Sequence, residues 1–465
     1  MGKKEGSNEQ NHGTTKDKIV KNHKSLLESY EQRLKNLDPE LITIDEEIFL
    51  KEAFIHAKKV FEPEKLVKWF TIRAEPFYRP GSWKVVLTMC EELLDIAEKK
   101  LGSEDPGTAT VLNGLARIYR YIGNYEEALK LLSRALNIHE MLPGTERAEI
   151  GDILSEMGIL NYLMDNQALS YYTQALEIQK KFLSSENLGA VITLNRMAFF
   201  YREMKEPEKA EEFFNRALEF FEMFQEQEPD KRLIMIYKAG TLNNLGILLS
   251  EMGKIEESED RYGKALKLQD KVYGPEHPQV AQTLNNLALL YFQTSRYEKA
   301  LILNTRSLEI MEKLGKTEHP GFATTLNNLA GIYVHKGRHE KALELYKRAL
   351  EIRECSLSPD HPDVAKTLNN LGELYKILGH HKKALHMYTQ ALNIYKTTFG
   401  TTHPDVGTTL NNLAGLHESL GEYKTAIDLY EKALYIIQKE YGSDHPYFKI
   451  TRNNLISLYD KMERS

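Results

Sequence analysis

The apolar residues of the chain recur at steps of three and four, the spacing that places side chains on one face of an α-helix. Two such stripes follow one another between residues 361 and 402: Leu368, Leu371, Gly372 and Tyr375, then Ala384, Tyr388, Ala391 and Ile394. Gly379 separates the stripes, and Pro362 suits the first turn of the first helix because that position needs no N–H donor. The pattern predicts two helices joined by a short turn.

This helix pair is one unit of a repeat with a period of 42 residues. The pattern H-P-x-V-A-x-T-L-N-N-L returns with its His-Pro pair beginning at 277, 319, 361, 403 and 445. A second pattern, G-x-Y/H-x-x-A-x-x-x-Y-x-x-A-L, follows in each complete unit. Earlier units keep the register with more substitutions, for example Asn113, Ser155 and Asn195 at the first asparagine position. The chain is therefore predicted to be a stack of similar helix pairs.

The repeats suggest three segments. Residues 1–17 are expected to form a disordered polar tail, and residues 18–80 a helical N-terminal region. Residues 81–465 are expected to form the array: a degenerate leading repeat, about eight repeats, and a capping helix at 447–461. The predicted fold class is all-α.

The combined pattern L-x-x-L-A/G-x-x-Y and A-x-x-x-Y/F-x-x-A resembles the tetratricopeptide repeat. The version with H-P-D-V-A-x-T-L-N-N-L-A is similar to the repeats of kinesin light chain. The resemblance covers residues 82–465 and implies a right-handed helical solenoid with a concave groove lined by the first helix of each unit. It concerns the repeat module only, because residues 18–37 are too few for the long coiled coil of kinesin light chains.

The second asparagine of each pair is the main candidate for ligand binding. An amide offers both a donor and an acceptor, so a row of amides could hold the backbone of an extended peptide. In similar repeat families asparagines here hold peptides, and the resemblance carries this role to Asn244, Asn286, Asn328, Asn370 and Asn412. The alternative is hydrogen bonding between repeats, and both roles could belong to different members of the pair.

Other positions facing the predicted groove suggest the chemistry of the partner. The candidates are Arg117, Arg120, Arg196, Arg202, Ile247, Leu289, Phe292, Val334, Lys366 and Lys376. Basic and apolar side chains together favour a protein or peptide with acidic residues around an apolar anchor. The alternative for the basic residues is a solvated charged face.

Composition excludes several other classes of protein. With 61 basic and 67 acidic residues the formal net charge is −6, which argues against a nucleic-acid binder. Two cysteines cannot form a disulfide framework or a four-cysteine zinc site. With no long apolar run or secretory signal, no membrane contact is expected, and the expected location is the cytoplasm.

No catalytic or cofactor motif accompanies the repeats. The five His-Pro histidines lie one repeat apart, and Asp105-Pro106 takes the same place in the first full unit. That position therefore needs a polar group at a helix start, and no metal is expected there. Gly315-Lys316-Thr317 lacks the earlier glycine of a phosphate-binding loop, because Ile310 stands there. We expect no enzyme activity, no cofactor and no metal.

These observations predict a non-catalytic protein–protein interaction module that acts as an adaptor by binding a peptide or partner protein in its groove. The alternative is an oligomerising scaffold or regulatory subunit of a signalling complex, assembled through residues 18–80 or through the outer faces. The oligomeric state stays open at this stage.

Overall fold

The computed structural model describes residues 15–34, 37, 41–78, 83–142, 148–164, 167–182, 188–223, 231–443 and 445–463. These residues contain twenty-one α-helices and no strand. The N-terminal helices are α1 (Thr15–Arg33), α2 (Ile44–Val60), α3 (Pro63–Ala74) and α4 (Trp83–Lys100). The next helices are α5 (Pro106–Ile122), α6 (Tyr125–Glu140), α7 (Ala148–Leu163), α8 (Ala168–Gln179), α9 (Gly189–Glu203), α10 (Pro207–Glu222), α11 (Lys231–Glu251) and α12 (Ile255–Tyr273). The last are α13 (Pro278–Gln293), α14 (Tyr297–Lys313), α15 (Pro320–His335), α16 (His339–Ser356), α17 (Pro362–Ile377), α18 (His381–Phe399), α19 (Pro404–Ser419), α20 (Tyr423–Tyr441) and α21 (Pro446–Glu463).

The helices from α5 to α20 form eight pairs, which we call A (first) and B (second) helices. The A helices of the His-Pro repeats begin at a histidine whose Nδ1 accepts a hydrogen bond from the backbone N–H two residues later. These distances are 3.1 Å for His277, 3.0 Å for His319, 3.1 Å for His361 and 3.3 Å for His403. Asp105 makes the same bond to Gly107 at 2.7 Å. The prediction that this position supplies a polar group at a helix start is confirmed.

The chain divides into two compact units, Met1–Thr241 and Leu242–Ser465. Within each, the A and B helices of a repeat pack against one another, as in α5 with α6 or α17 with α18. The A helices of successive repeats also touch, as in α5 with α7 and α15 with α17. The A helices therefore form one continuous layer in each unit, as the all-α repeat fold predicts.

In the first unit the N-terminal helices share one hydrophobic core with the first repeat. Leu27 of α1, Phe54 of α2 and Phe70 of α3 lie in the same buried cluster as Leu93 of α4 and Leu115 of α5. Helix α3 contacts both α4 and α5, so α4 has a partner helix in the place of a degenerate A helix. Helix α1 begins at Thr15, within the expected tail of residues 1–17, and residues 1–14 lie outside the described part of the chain.

In the second unit the two helices of a repeat approach closely where a tyrosine of the B helix packs under a small residue of the A helix. A Cβ atom added to Gly372 would lie 2.7 Å from the ring of Tyr388, so no side chain fits there. Gly246 has the same relation to Tyr262, at 2.8 Å. Helix α21 covers the last repeat by burying Leu458.

By length and composition alone, the segment Arg232–Glu251 of α11 could cross a membrane, and it is the one such segment in the described residues. The sequence-based expectation did not identify it. Its apolar residues Leu242, Leu245, Leu248 and Leu249 are buried, as the corresponding residues of the other A helices are. Packing within the repeat stack therefore accounts for the hydropathy of this helix.

Candidate functional site

The asparagine pairs of the second unit form a ladder of hydrogen bonds between repeats. In each rung, Nδ2 of the second asparagine donates to Oδ1 of the first asparagine in the preceding repeat. The rungs are Asn286 to Asn243 (3.2 Å), Asn328 to Asn285 (3.0 Å), Asn370 to Asn327 (3.1 Å), Asn412 to Asn369 (3.2 Å) and Asn454 to Asn411 (3.1 Å). Bonding between repeats, the alternative considered from the sequence, is therefore present in the structure.

Each rung leaves part of the second amide available. The side chains of Asn286, Asn328 and Asn370 are half-buried, and their Oδ1 atoms accept no hydrogen bond from the described residues. Asn244 and Asn412 differ, because their Oδ1 atoms face Nδ2 of the preceding asparagine at 3.5 and 3.3 Å. The ladder fixes the orientation of the amides and leaves an acceptor and one N–H free on the three middle ones.

The apolar candidates of this unit lie beside the ladder. A cavity of about 470 Å³ is lined by Leu289, Phe292 and Val334 together with the amides of Asn328 and Asn370. Leu289 is 37% exposed, which is unusual for a leucine in the A-helix layer. Ile247 does not line this cavity, because it packs against the buried cluster around Tyr262. We call the surface of α13, α15 and α17 around this cavity the A-helix groove.

The two candidate lysines of this unit differ in their surroundings. Lys376 forms an ion pair with Glu373 at 2.8 Å, and Glu373 also accepts a hydrogen bond from Tyr388 at 2.7 Å. Lys366 lines the cavity, is exposed, and has no ion-pair partner among the described residues. Of the two, only Lys366 leaves its charge uncompensated.

In the first unit the candidate arginines surround a buried carboxylate. Arg196 contacts Glu156 at 2.6 Å and also donates to Ser155 Oγ at 2.7 Å. Arg120 Nε lies 3.4 Å from the same carboxylate, and Arg117 lies 4.0 Å from Glu75. These three basic residues are not the solvated face considered from the sequence, and they are largely neutralised. Arg202, near the end of α9, is half-buried.

The arginines decide the ionisation of Glu156, which is 9% exposed. Burial alone would raise its pKa, but Arg196, Arg117 and Arg120 together outweigh burial and lower the pKa to about 2. Burial raises the pKa of the neighbouring Asp152, although a hydrogen bond from Gln179 at 2.8 Å opposes that change. Glu156 is therefore a fixed negative charge at neutral pH.

This ionic cluster takes the place of the amide ladder. Ser155 and Glu156 occupy the two positions of the asparagine pair, and Arg196 occupies the second position of the next repeat. Arg196 bonds back to the preceding repeat as the asparagines do. The adjacent cavity of about 400 Å³ is accordingly charged, with Glu75, Asp152 and Arg117 in its lining.

The Cys90 thiol and the potential metal ligands show no sign of reactive chemistry in the described residues. Burial raises the pKa of the Cys90 thiol to about 12, so the thiol stays protonated. Among the described residues, no three His, Cys, Asp or Glu side chains are placed to hold a metal ion.

Sequence reasoning missed Glu156, Glu373 and Asn304, all of which shape these surfaces. Each departs from the repeat: Glu156 replaces an amide of the ladder, and Asn304 replaces a tyrosine of the B helices. The signal for all three is a departure from the 42-residue pattern, which is present in the sequence.

The chain was compared with known proteins. The model of the tetratricopeptide repeat family matches residues 81–141, 149–223, 237–313, 321–397 and 399–465. Protein KINESIN LIGHT CHAIN-RELATED 2 of Arabidopsis thaliana is 28% identical over 250 residues, 52% of this chain and 36% of the relative. KINESIN LIGHT CHAIN-RELATED 3 of the same organism is 27% identical over 208 residues, 44% of this chain and 31% of the relative. The chain thus spans about a third of the length of these relatives.

Solved structures agree on the fold. A signal transduction ATPase with a tetratricopeptide repeat sensor from Pyrococcus horikoshii superposes with a TM-score of 0.55 at 20% identity, over 83% of this chain and 54% of that one. The apo form of the quorum sensor NprR from B. thuringiensis gives 0.54 at 16% identity, over 81% of this chain and 99% of that one. The predicted helical solenoid is confirmed. The chain belongs to the tetratricopeptide repeat family, and its repeats are similar to those of the kinesin light chain-related proteins.

Proposed function

We propose that the chain is a non-catalytic protein–protein interaction module, an adaptor that binds an extended segment of a partner protein in the A-helix groove. The observation that carries the proposal is the row of oriented amides on Asn286, Asn328 and Asn370. Each retains an acceptor and an N–H, the two groups that an extended backbone needs as partners. Because the ladder already fixes these side chains, a peptide would bind them with little loss of rotamer freedom.

The same groove supports a partner with an apolar anchor. Leu289, Phe292 and Val334 lie beside the amides, so an apolar side chain of the partner would lose its water contact there. The acidic residues expected of the partner have fewer matching charges than the sequence suggested, because Arg117, Arg120 and Arg196 already face Glu156 or Glu75. Within the groove, Lys366 is the cation that suits a carboxylate of the partner.

We further propose a cytoplasmic location. Cys90 and Cys355 are not disulfide-bonded, which suits a reducing compartment.

A random peptide library displayed on phage would test the function directly. Peptides selected on the full chain should bind with micromolar strength, about −8 kcal/mol. Leu289→Asp should weaken the selected peptides at least tenfold, because it places a charge at the apolar anchor site. Ile302→Asp is the matched control, since Ile302 is 66% exposed on the B helix α14 and does not line the cavity.

Peptides that bind both variants as tightly as the unmodified chain would refute groove binding. A library that yields no binder would refute peptide capture itself. The scaffold alternative makes a different prediction, namely that light scattering of the full chain gives a multiple of the monomer mass. Deleting residues 1–80 would not separate the two functions, because these residues share a core with the first repeat.

A further inference from the structure

One B helix of the second unit lacks the tyrosine that its neighbours have. The same position of the repeat, counted in steps of 42 residues, holds Tyr262, Asn304, Tyr346, Tyr388 and Tyr430. All four tyrosines are buried, with at most 5% of the side chain exposed. Asn304 is thus a local exception in an otherwise regular layer of aromatic rings.

The neighbouring repeats show what the missing tyrosine would fill. The Tyr388 hydroxyl donates to Glu373 on its own A helix at 2.7 Å. The Tyr346 hydroxyl would lie 3.5 Å from a Cβ atom added to Gly331, and the Tyr430 hydroxyl would lie 3.5 Å from one added to Gly415. These A-helix positions are also 42 residues apart, and the corresponding residue above Asn304 is Leu289.

An asparagine is too short to span the distance that a tyrosine covers. The cavity of about 470 Å³ lies here, and its lining runs from Asn304 and Tyr346 to Leu289, Phe292 and Gly331. Asn328 and Asn370 of the amide ladder also line it, so the cavity is continuous with the A-helix groove. The position of the missing ring therefore borders the space that a ligand in the groove would occupy.

Asn304 is 1% exposed, yet neither of its polar side-chain atoms has a partner among the described residues. Buried amide groups are nearly always hydrogen-bonded, because leaving them without a partner costs free energy. The other buried polar residue of this helix follows that rule: Ser307 donates to the Ala281 carbonyl at 2.8 Å. A buried donor and acceptor without partners, on a residue that lines a cavity, are features of a binding pocket.

We infer that this cavity binds a phenol side chain, a tyrosine of the partner segment, with its hydroxyl on Asn304. A phenol donates its proton to Oδ1 and accepts from Nδ2–H, so it satisfies both atoms of Asn304. Its ring takes the place of the ring that the repeat lacks, in the cavity that Phe292 and Tyr346 also line. A phenylalanine would fill the same space and leave the amide unpartnered. The inference that the occupant is a tyrosine of a partner peptide rests on the proposed function, whereas the inference that the pocket binds a free phenol does not.

The probes are p-cresol, which is the tyrosine side chain, and toluene, which lacks the hydroxyl. Titrations with the full chain, followed by ligand-observed NMR, should give p-cresol at least a tenfold higher affinity than toluene. No binding of p-cresol up to its solubility limit would overturn the inference. Equal affinity for the two probes would overturn the role of Asn304.

Two variants separate the pocket from binding elsewhere. Asn304→Tyr restores the ring found in the four other repeats of this unit, so it should abolish p-cresol binding while keeping or raising the melting temperature. Asn304→Leu keeps the cavity apolar and open, so it should reverse the preference in favour of toluene. Unchanged p-cresol affinity in either variant would contradict the assignment. If the pocket binds p-cresol but no peptide can be selected, the proposed function fails while the pocket assignment holds.

Discussion

Replacing Glu156 by glutamine should destabilise the first unit by about 3 kcal/mol at neutral pH. Glutamine has the shape of the protonated acid, so the substitution removes the charge and little else. The pKa of Glu156 is lowered from 4.5 to about 2. At 1.36 kcal/mol for each pKa unit, this difference favours the ionised form in the folded chain by about 3 kcal/mol. Glu156→Gln forfeits that stabilisation and leaves three arginines facing one another.

The same reasoning fixes how the effect depends on pH. The folded pKa lies below the ordinary value, so the charge of Glu156 stabilises the fold fully above pH 4.5. The stabilisation is lost as the pH falls from 4.5 towards about 2. The difference between the unmodified chain and Glu156→Gln should therefore be constant near neutrality and shrink in acid.

Hydrogen exchange followed by mass spectrometry suits this test, because a repeat array need not unfold in one step. A loss of about 3 kcal/mol corresponds to roughly hundredfold faster exchange of the α7 amides. Glu127→Gln is the matched control, since Glu127 forms an exposed pair with Lys130 at 3.0 Å and should cost less than about 1 kcal/mol. If the two substitutions change exchange in α7 equally, the arginine cluster does not hold the carboxylate as argued.

Three further substitutions test the repeats of the second unit. Asn327→Ala removes the acceptor of the Asn370 rung, so the free energy of opening measured by amide exchange in α15 and α17 should fall by about 1–2 kcal/mol. Gln282 is exposed, and Gln282→Ala should leave that free energy unchanged. Arg353 is 1% exposed and donates hydrogen bonds to three oxygen atoms, none of which belongs to a carboxylate. Arg353→Met fills the space without a buried charge, so the melting temperature should stay unchanged or rise. Arg353→Ala leaves a cavity and should lower it. His445 Nδ1 accepts a hydrogen bond from the Tyr447 N–H at the start of α21, and burial lowers the pKa of this histidine. Amide exchange in α21 should therefore become faster as the pH falls below about 6.5, because protonation of His445 removes the acceptor. In His445→Asp this pH dependence should be lost.

The fold was predictable because the sequence repeats. Periodic apolar residues define the helices, and the His-Pro pairs define where the A helices begin. The packing of α1 to α4 against the first repeat had no such signal. It depends on Phe54, Phe70 and Leu93 meeting in space, and nothing in their spacing along the chain indicates that contact.

The candidate site was predictable only in part. The asparagine pairs pointed to the A-helix layer, but an amide suits both a peptide and a neighbouring repeat, so the sequence left both roles open. Arg120 and Arg196 pair with a carboxylate 36 and 40 residues away, and a count of charges on one helix does not reveal such a pair. Asn304 needed the structure as well, because its significance lies in the space that a missing tyrosine leaves.

The two units build the same rung from different chemistry, and this difference favours the second unit as the place of the proposed recognition. In the first unit Arg196 donates hydrogen bonds to Ser155 and Glu156. An acidic ligand there would therefore compete with a carboxylate that is already bound to the arginine. In the second unit each rung uses one N–H of the second asparagine, so the other N–H and the Oδ1 atom of Asn286, Asn328 and Asn370 have no partner in the ladder. Those groups recur every 42 residues, so under the proposed function they suit the part of a ligand that also recurs, its main chain. Under the proposed function, selectivity for a side chain comes from residues that do not recur, and Asn304 is one of these beside Phe292 and Lys366.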